Sequence, residues 1–127
     1  MITERTFPIV QELAEFAGID GCALVDIDSG MVIYHAGIFP GVERIAEAAI
    51  EFWRIQTRLS SHFETLGSLN SAAYTFANRA ITLFPCSVRP PLVLVSITRK
   101  KGVSWRDWGV LLTQLRQDLE TANVAAR

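Results

Sequence analysis

Two histidines, two cysteines and a group of three aspartates are the side chains whose chemistry could carry a reaction or hold a metal. His35 and His62 fall in different predicted elements, and neither has triad or metal-ligand spacing around it. Cys22 and Cys86 lie inside apolar, strand-like runs, without Cys-x-x-Cys spacing and without a histidine beside them. They read as buried thiols that act as small hydrophobes. Asp20, Asp26 and Asp28 are close enough in sequence to share a cation. They lack the Asp-x-Asp-x-Asp-Gly order and downstream glutamate of a calcium loop, and Asp28-Ser29-Gly30 has the composition of a tight turn. No phosphate-binding Gly-x-x-x-x-Gly-Lys-Ser/Thr loop or dinucleotide fingerprint occurs. Arg99-Lys100-Lys101 fits a solvated turn, or a contact with phosphate or an acidic partner. These patterns predict neither an enzyme nor a cofactor nor a metal site.

A second pattern carries more. Arg44, Glu47, Glu51, Arg54 and Arg58 recur at spacings of three and four, which stacks them in one narrow polar stripe of a helix. Glu51 and Arg54 can pair one turn apart, whereas Arg54 and Arg58 repel, each effect being worth a few tenths of a kcal/mol. The stripe reads either as a solvated face or as a partner-binding surface. The rest of the circumference holds Val42, Ile45, Ala46, Ala48, Ala49, Ile50, Phe52, Trp53, Ile55, Leu59 and Phe63. That arc spans roughly 200°, twice the roughly 100° that a helix lying on one sheet has to bury. The excess calls for another surface, and another protein chain is the expected one. Trp53 borders the stripe and fits an interface anchor as well as a core or dimer-packing residue.

The elements that position these residues follow from periodicity and punctuation. The chain has 127 residues and a formal net charge of −1, with half its residues hydrophobic and 20% charged. This predicts one globular domain over residues 1–127, with a core at about 6–120, and gives no electrostatic case for nucleic acid or an anionic membrane as partner. Met1-Ile2-Thr3-Glu4-Arg5 does not resemble a signal peptide, and no stretch is apolar enough to span a bilayer, so a cytoplasmic location is expected. A disulfide is not expected there. Thr6 is placed to cap a first helix with Pro8 in its opening turn, and Gly18 to stop it. Cys22 to Ile27 and Met31 to Ala36 read as a hairpin around Asp28-Ser29-Gly30. The long helix runs from Val42 to Leu59 or Phe63. Leu69 to Phe76, Ala80 to Phe84 and Leu92 to Thr98 read as three more strands, the last apolar on both faces as a central strand would be. A final helix starts after Ser104, with Asp107 at the capping-box position and Trp108, Leu111, Leu112, Leu115 and Leu119 as its buried stripe. Frayed structure is expected from Ala122 to Arg127.

The order is helix, strand, strand, helix, three strands, helix, and with it the chain resembles the Roadblock (dynein light chain) family. The resemblance rests on Ala17-Gly18-Ile19-Asp20-Gly21-Cys22-Ala23-Leu24-Val25-Asp26, then Asp28-Ser29-Gly30, Leu66-Gly67 and Phe84-Pro85. Its departures are the Ala-rich third strand and the tryptophans Trp53, Trp105 and Trp108. The resemblance implies an α+β fold with a five-stranded antiparallel sheet in the order 2-1-5-4-3. The long helix would cover one face and the terminal helices the other. Cys22 and Cys86 would then sit on strands separated by a third, about 10 Å apart and too far to bridge. It also implies homodimers that pair their third strands and lay their long helices side by side, here through Ile50, Trp53, Ala72 and Tyr74. The paired helices, with Arg44, Glu47, Glu51, Arg54 and Arg58, would form a platform for a small Ras-like GTPase, as a non-catalytic regulator or scaffold. Two alternatives stand beside this. One is a small-ligand sensory domain with a pocket lined by Tyr34, Tyr74 and Phe76. The other is a structural subunit that pairs with a different Roadblock-like chain.

Overall fold

The computed structural model describes residues 4–125. The elements are α1 (Thr6–Glu15), β1 (Ile19–Asp26), β2 (Val32–Gly37), α2 (Val42–Arg58), β3 (Ala72–Thr75), β4 (Ala80–Val88), β5 (Pro91–Thr98) and α3 (Trp105–Ala125), with a 3-10 helix at Ser60–Leu66 between α2 and β3. The strands form one five-stranded sheet in the order β2-β1-β5-β4-β3, antiparallel throughout. This is the α+β architecture expected from the sequence.

Alternation along the strands divides the core in two. Cys22, Leu24, Leu92, Leu94 and Cys86 point to one face, where Val10, Leu13, Trp108, Leu112 and Leu115 of α1 and α3 cover them. Ala23, Val25, Leu83, Val93 and Val95 point to the other, under Val42, Ala46, Ala49, Ile50 and Trp53 of α2. From Leu92 to Thr98, β5 is buried without a break, which explains its apolar residues on both faces. Trp108 ties α3 to α1, its Nε1 donating to the Leu13 carbonyl at 3.1 Å. No helix among the described residues is long and apolar enough to cross a membrane.

Several boundaries differ from the expected ones for identifiable reasons. Thr6 does not cap α1. It lies inside the helix, buried, and its hydroxyl donates to the Asp118 carboxylate on α3 at 2.7 Å. α1 ends at Glu15, and Gly18 makes the turn into β1 with φ +85°, where a Cβ would meet Val103 at 2.7 Å. α2 stops at Arg58, and the chain tightens into the 3-10 turn at Ser60–Leu66, whose two serines are weaker helix formers than the residues before them. β3 is shorter than Leu69 to Phe76. β4 continues past Phe84 to Val88, with a register shift between Pro85 and Ser87. Pro85 has no N–H to give the ladder, and a bulge accommodates that loss. Ser104 Oγ donates to the Asp107 carboxylate at 3.0 Å at the start of α3. The helix stays regular through Ala125 with Ala122 buried, so fraying does not begin at Ala122. Ala126 and Arg127 lie outside the described residues, as do Met1, Ile2 and Thr3.

Candidate functional site

α2 lies alone on its side of the sheet and presents three faces. The first, Val42, Ala46, Ala49, Ile50 and Trp53, is buried on the sheet. Small residues at its centre let the helix axis approach the strands closely. Ile50 and Trp53, expected at a dimer interface, therefore belong to the domain's own core, at 1% and 7% exposure.

The second face is Ile45, Ala48, Phe52, Ile55 and Leu59. Ile45 and Phe52 are half-buried, and Ala48, Ile55 and Leu59 are exposed. Their spacings of three, four, three and four are those of a coiled-coil seam. Phe52 packs its ring on Tyr74 of β3, centroids 4.5 Å apart, so this seam faces the β3 edge of the sheet. Exposed Phe63 and Leu66 of the 3-10 turn, with Leu69 after it, extend the apolar surface beyond the end of α2.

The third face is the polar stripe. Arg44, Glu47, Glu51 and Arg58 are exposed. Arg54 is different. Its guanidinium pairs with Glu51 and donates to the Ile27 carbonyl from Nε at 3.0 Å and from Nη2 at 2.6 Å. Arg54 thus fastens α2 to the β1–β2 turn on the side away from the seam. Asp26 shapes that turn by accepting the Asp28 N–H at 2.9 Å and the Ser29 N–H at 3.3 Å.

β3 is an edge strand with one side of its backbone open. The Phe76 N–H donates to the Arg79 carbonyl at 2.8 Å, and Ala72 to Thr75 pair with Leu83 to Ala80. Antiparallel alternation then turns the amides of Ala72 and Tyr74 toward β4 and those of Ala73 and Thr75 outward. The side chains of Ala72 and Tyr74 lie on the α2 side of the sheet, half-buried beside the seam.

No protein-family model and no curated protein matches the sequence. Solved structures do match. The Roadblock/LC7 domain from Streptomyces avermitilis superimposes with a TM-score of 0.74 over 98% of this chain and 99% of that one, at 10% identity. This chain has the Roadblock fold. MglB of Myxococcus xanthus matches with a TM-score of 0.72 over 98% of this chain and 99% of its own, at 13% identity. The gliding protein MglB of Thermus thermophilus matches at 0.69 over 91% of this chain and 86% of its own, at 14% identity.

Within this Roadblock fold the reactive side chains are scattered. Burial pushes both the Cys22 and Cys86 thiols up to about 12, and for Cys22 a contact with Ser96 opposes the shift only in part. Neither is a thiolate near neutral pH, and both are free. His35 pairs with Glu43 at 3.2 Å on the surface, while His62 sits exposed on the 3-10 turn. Tyr34 and Tyr74, expected to share a ligand pocket with Phe76, stand at opposite edges of the sheet and on opposite faces. Tyr34 stacks on Phe7 at 4.6 Å and donates to Gln11, Tyr74 packs on Phe52, and Phe76 is exposed. That pocket does not form.

One polar cluster escaped the sequence reading. Asp20 is 3% exposed and pairs with Arg79 at 2.7 Å and Arg99 at 3.4 Å, joining the start of β1 to the β3–β4 turn and to the loop after β5. Arg79 also lies over the Phe39 ring at 5.7 Å. Paired in this way, Asp20 staples the end of the domain and is not a free ligand for a cation. The partners lie 59 and 79 residues downstream, and no local pattern announces them.

Proposed function

We propose that the chain is a homodimeric, non-catalytic regulator or scaffold that acts in the cytoplasm. Its joined α2 helices would form a docking platform for a small Ras-like GTPase. The observation that carries the dimer is the seam Ile45, Ala48, Phe52, Ile55 and Leu59, which lies beside the open edge of β3. A second copy related by a two-fold axis would cover both at once, pairing β3 with β3 and seam with seam. An MglB of the same fold has been solved with a tetrameric arrangement, matching this chain with a TM-score of 0.70 at 14% identity, which supports self-association on this scaffold. The GTPase rests on the Roadblock resemblance together with the exposed stripe.

In the dimer the stripes of the two copies flank the paired seams. Arg44, Glu47, Glu51 and Arg58 are the residues proposed to touch the partner, and Arg54 holds the platform in place through the β1–β2 turn. Arg54 is committed to Ile27 and Glu51, so it is not available as a donated arginine. A regulator of this kind acts by ordering the GTPase's own catalytic loops.

The test is affinity capture of the tagged protein from its native lysate, with mass spectrometry and sizing of the intact complex. The expected product is two copies of this chain holding one kind of small GTPase. A Glu47→Arg, Glu51→Arg variant should keep the dimer and lose the GTPase. A homodimer that captures no GTPase would overturn the GTPase reading and leave the dimer standing.

A further inference from the structure

The sheet face opposite α2 is covered unevenly. α1 lies over β1 and β2 and α3 reaches β4, while on this face Ser71, Ala73 and Thr75 at the β3 edge stay exposed. A trough is left between α3 and the open edge. Its floor is small and polar, made by Ser71, Ala73 and Thr75 with Ala80 and Thr82 of β4. Two adjoining hollows that share Ser71 and Phe84 make it up, and α3 walls the first with Trp105 and the second with Gly109, Leu112, Arg116 and Glu120, which follow one line along the helix. At about 1.5 Å per residue the wall from Trp105 to Glu120 is about 22 Å long.

Several features of the trough have no use inside the domain. Thr82 is 7% exposed, and its hydroxyl has no hydrogen-bond partner. Gly109 sits inside α3, where glycine is a poorer helix former than alanine. A Cβ there would meet nothing within 4 Å, so the domain's own packing does not require the glycine. A missing side chain facing open space is what close approach by another backbone needs. Trp105, which packs one side of its ring on Phe84 and Trp108, leaves the rest 42% exposed at one end of the wall.

Charge defines the occupant. Arg99, Lys100 and Lys101 line one end of the trough, and Arg89 and Arg116 the other, against the single carboxylate of Glu120. Shape points to a helix. An extended segment would add to the β3 edge in the plane of the sheet, whereas the trough lies on the face, beside α3, in the next helix position after α1 and α3. Small floor residues and Gly109 let a cylinder about 10 Å across settle between α3 and the strands.

We propose that this trough receives an acidic amphipathic helix from a partner protein. The helix lies along α3, with carboxylates against Lys100, Lys101 and Arg116. The site is on the opposite face from the seam of α2, and edge-to-edge pairing of β3 leaves it open. It therefore does not depend on the dimer or on the GTPase.

A displayed library of randomised helices of about sixteen residues, screened against the full chain, tests this. Enriched helices should be acidic. Titrated into labelled protein, they should shift the amides of Ala73, Thr82, Lys100 and Gly109 and leave those of Ile55 and Leu59 unmoved. Gly109→Leu, which fills the trough while improving helix propensity, should weaken binding at least about tenfold, and so should Lys100→Glu with Lys101→Glu. Neither variant should melt below the wild type, Gly109→Leu should melt somewhat above it, and both should keep the wild-type oligomeric state. No enrichment, enrichment of uncharged or basic helices, binding mapped to α2 or the β3 edge, or unchanged affinity in Gly109→Leu would each overturn the proposal.

Discussion

Replacing Ile55 and Leu59 together by glutamate is expected to turn the dimer into a monomer without unfolding it. Both side chains stand out from α2, at 44% and 41% exposure, and neither belongs to the core beneath the helix. In the monomer the two carboxylates would sit in water and cost little. In the dimer each seam would press its glutamates against those of its partner in a desolvated strip. Like charges set together in that way cost several kcal/mol, so dissociation should become easier by at least about a hundredfold. Sedimentation equilibrium reads the result against the monomer mass of 14.1 kDa. Glu47→Lys, on the polar stripe, should leave the mass unchanged. A double variant that stays dimeric would show that the copies meet elsewhere.

The largest expected effect on folding belongs to Trp108. Its indole is 1% exposed, packs on Phe84 and Trp105 with centroids 5.0 and 5.2 Å away, and donates to the Leu13 carbonyl. Trp108→Ala removes the ring, leaves a cavity between α1, α3 and β4, and orphans a buried carbonyl. Together these should cost about 3–5 kcal/mol. For a domain of this size that is a fall of roughly 10–20 °C in melting temperature. Trp108→Phe fills most of the volume but loses the N–H and part of the indole ring, so about 1–3 kcal/mol is expected. Both should be compared with wild type at one protein concentration, because the proposed dimer would make the melting temperature concentration-dependent.

Most of the architecture was legible because each local signal agreed with the fold. Gly18, Asp28-Ser29-Gly30 and Ser104 with Asp107 marked ends and turns by their own chemistry, and the unbroken apolar run of β5 announced a central strand. β3 was poorly defined, because an Ala- and Ser-rich strand gains its structure from pairing with β4 and not from propensity. The extension of β4 past Pro85 depends on a bulge that only the partner strand can reveal.

The apolar excess of α2 was legible in the sequence; its division into a buried and an exposed arc was not. Helical periodicity showed that α2 has more apolar surface than one sheet can bury, but it does not say which arc faces inward. The resemblance put Ile50 and Trp53 at the dimer interface, and the enrichment of tryptophan at binding hot spots favoured Trp53. Ala46 and Ala49 were the better guide: small residues mark where a helix comes closest to a sheet, and Ile50 and Trp53 flank them. The remaining arc, Ile45, Ala48, Phe52, Ile55 and Leu59, keeps a strict three-four spacing that could have been read as a seam. Arg54 sits on the stripe by periodicity, yet its long side chain reaches back to the carbonyl of Ile27, a contact that spacing along one helix does not encode. The pairing of Asp20 with Arg79 and Arg99 was hidden for the same reason.

Hydrogen exchange at the amides of Ala73 and Thr75 tests the central claim most directly. In a lone chain these two N–H groups point to solvent, while those of Ala72 and Tyr74 are held by β4. Pairing of β3 with β3 predicts slow exchange at all four positions, with protection of Ala73 and Thr75 at least about a hundredfold and lost in the Ile55→Glu, Leu59→Glu variant. Fast exchange at Ala73 and Thr75 beside slow exchange at Ala72 and Tyr74, in wild-type protein at high concentration, would contradict the dimer described above.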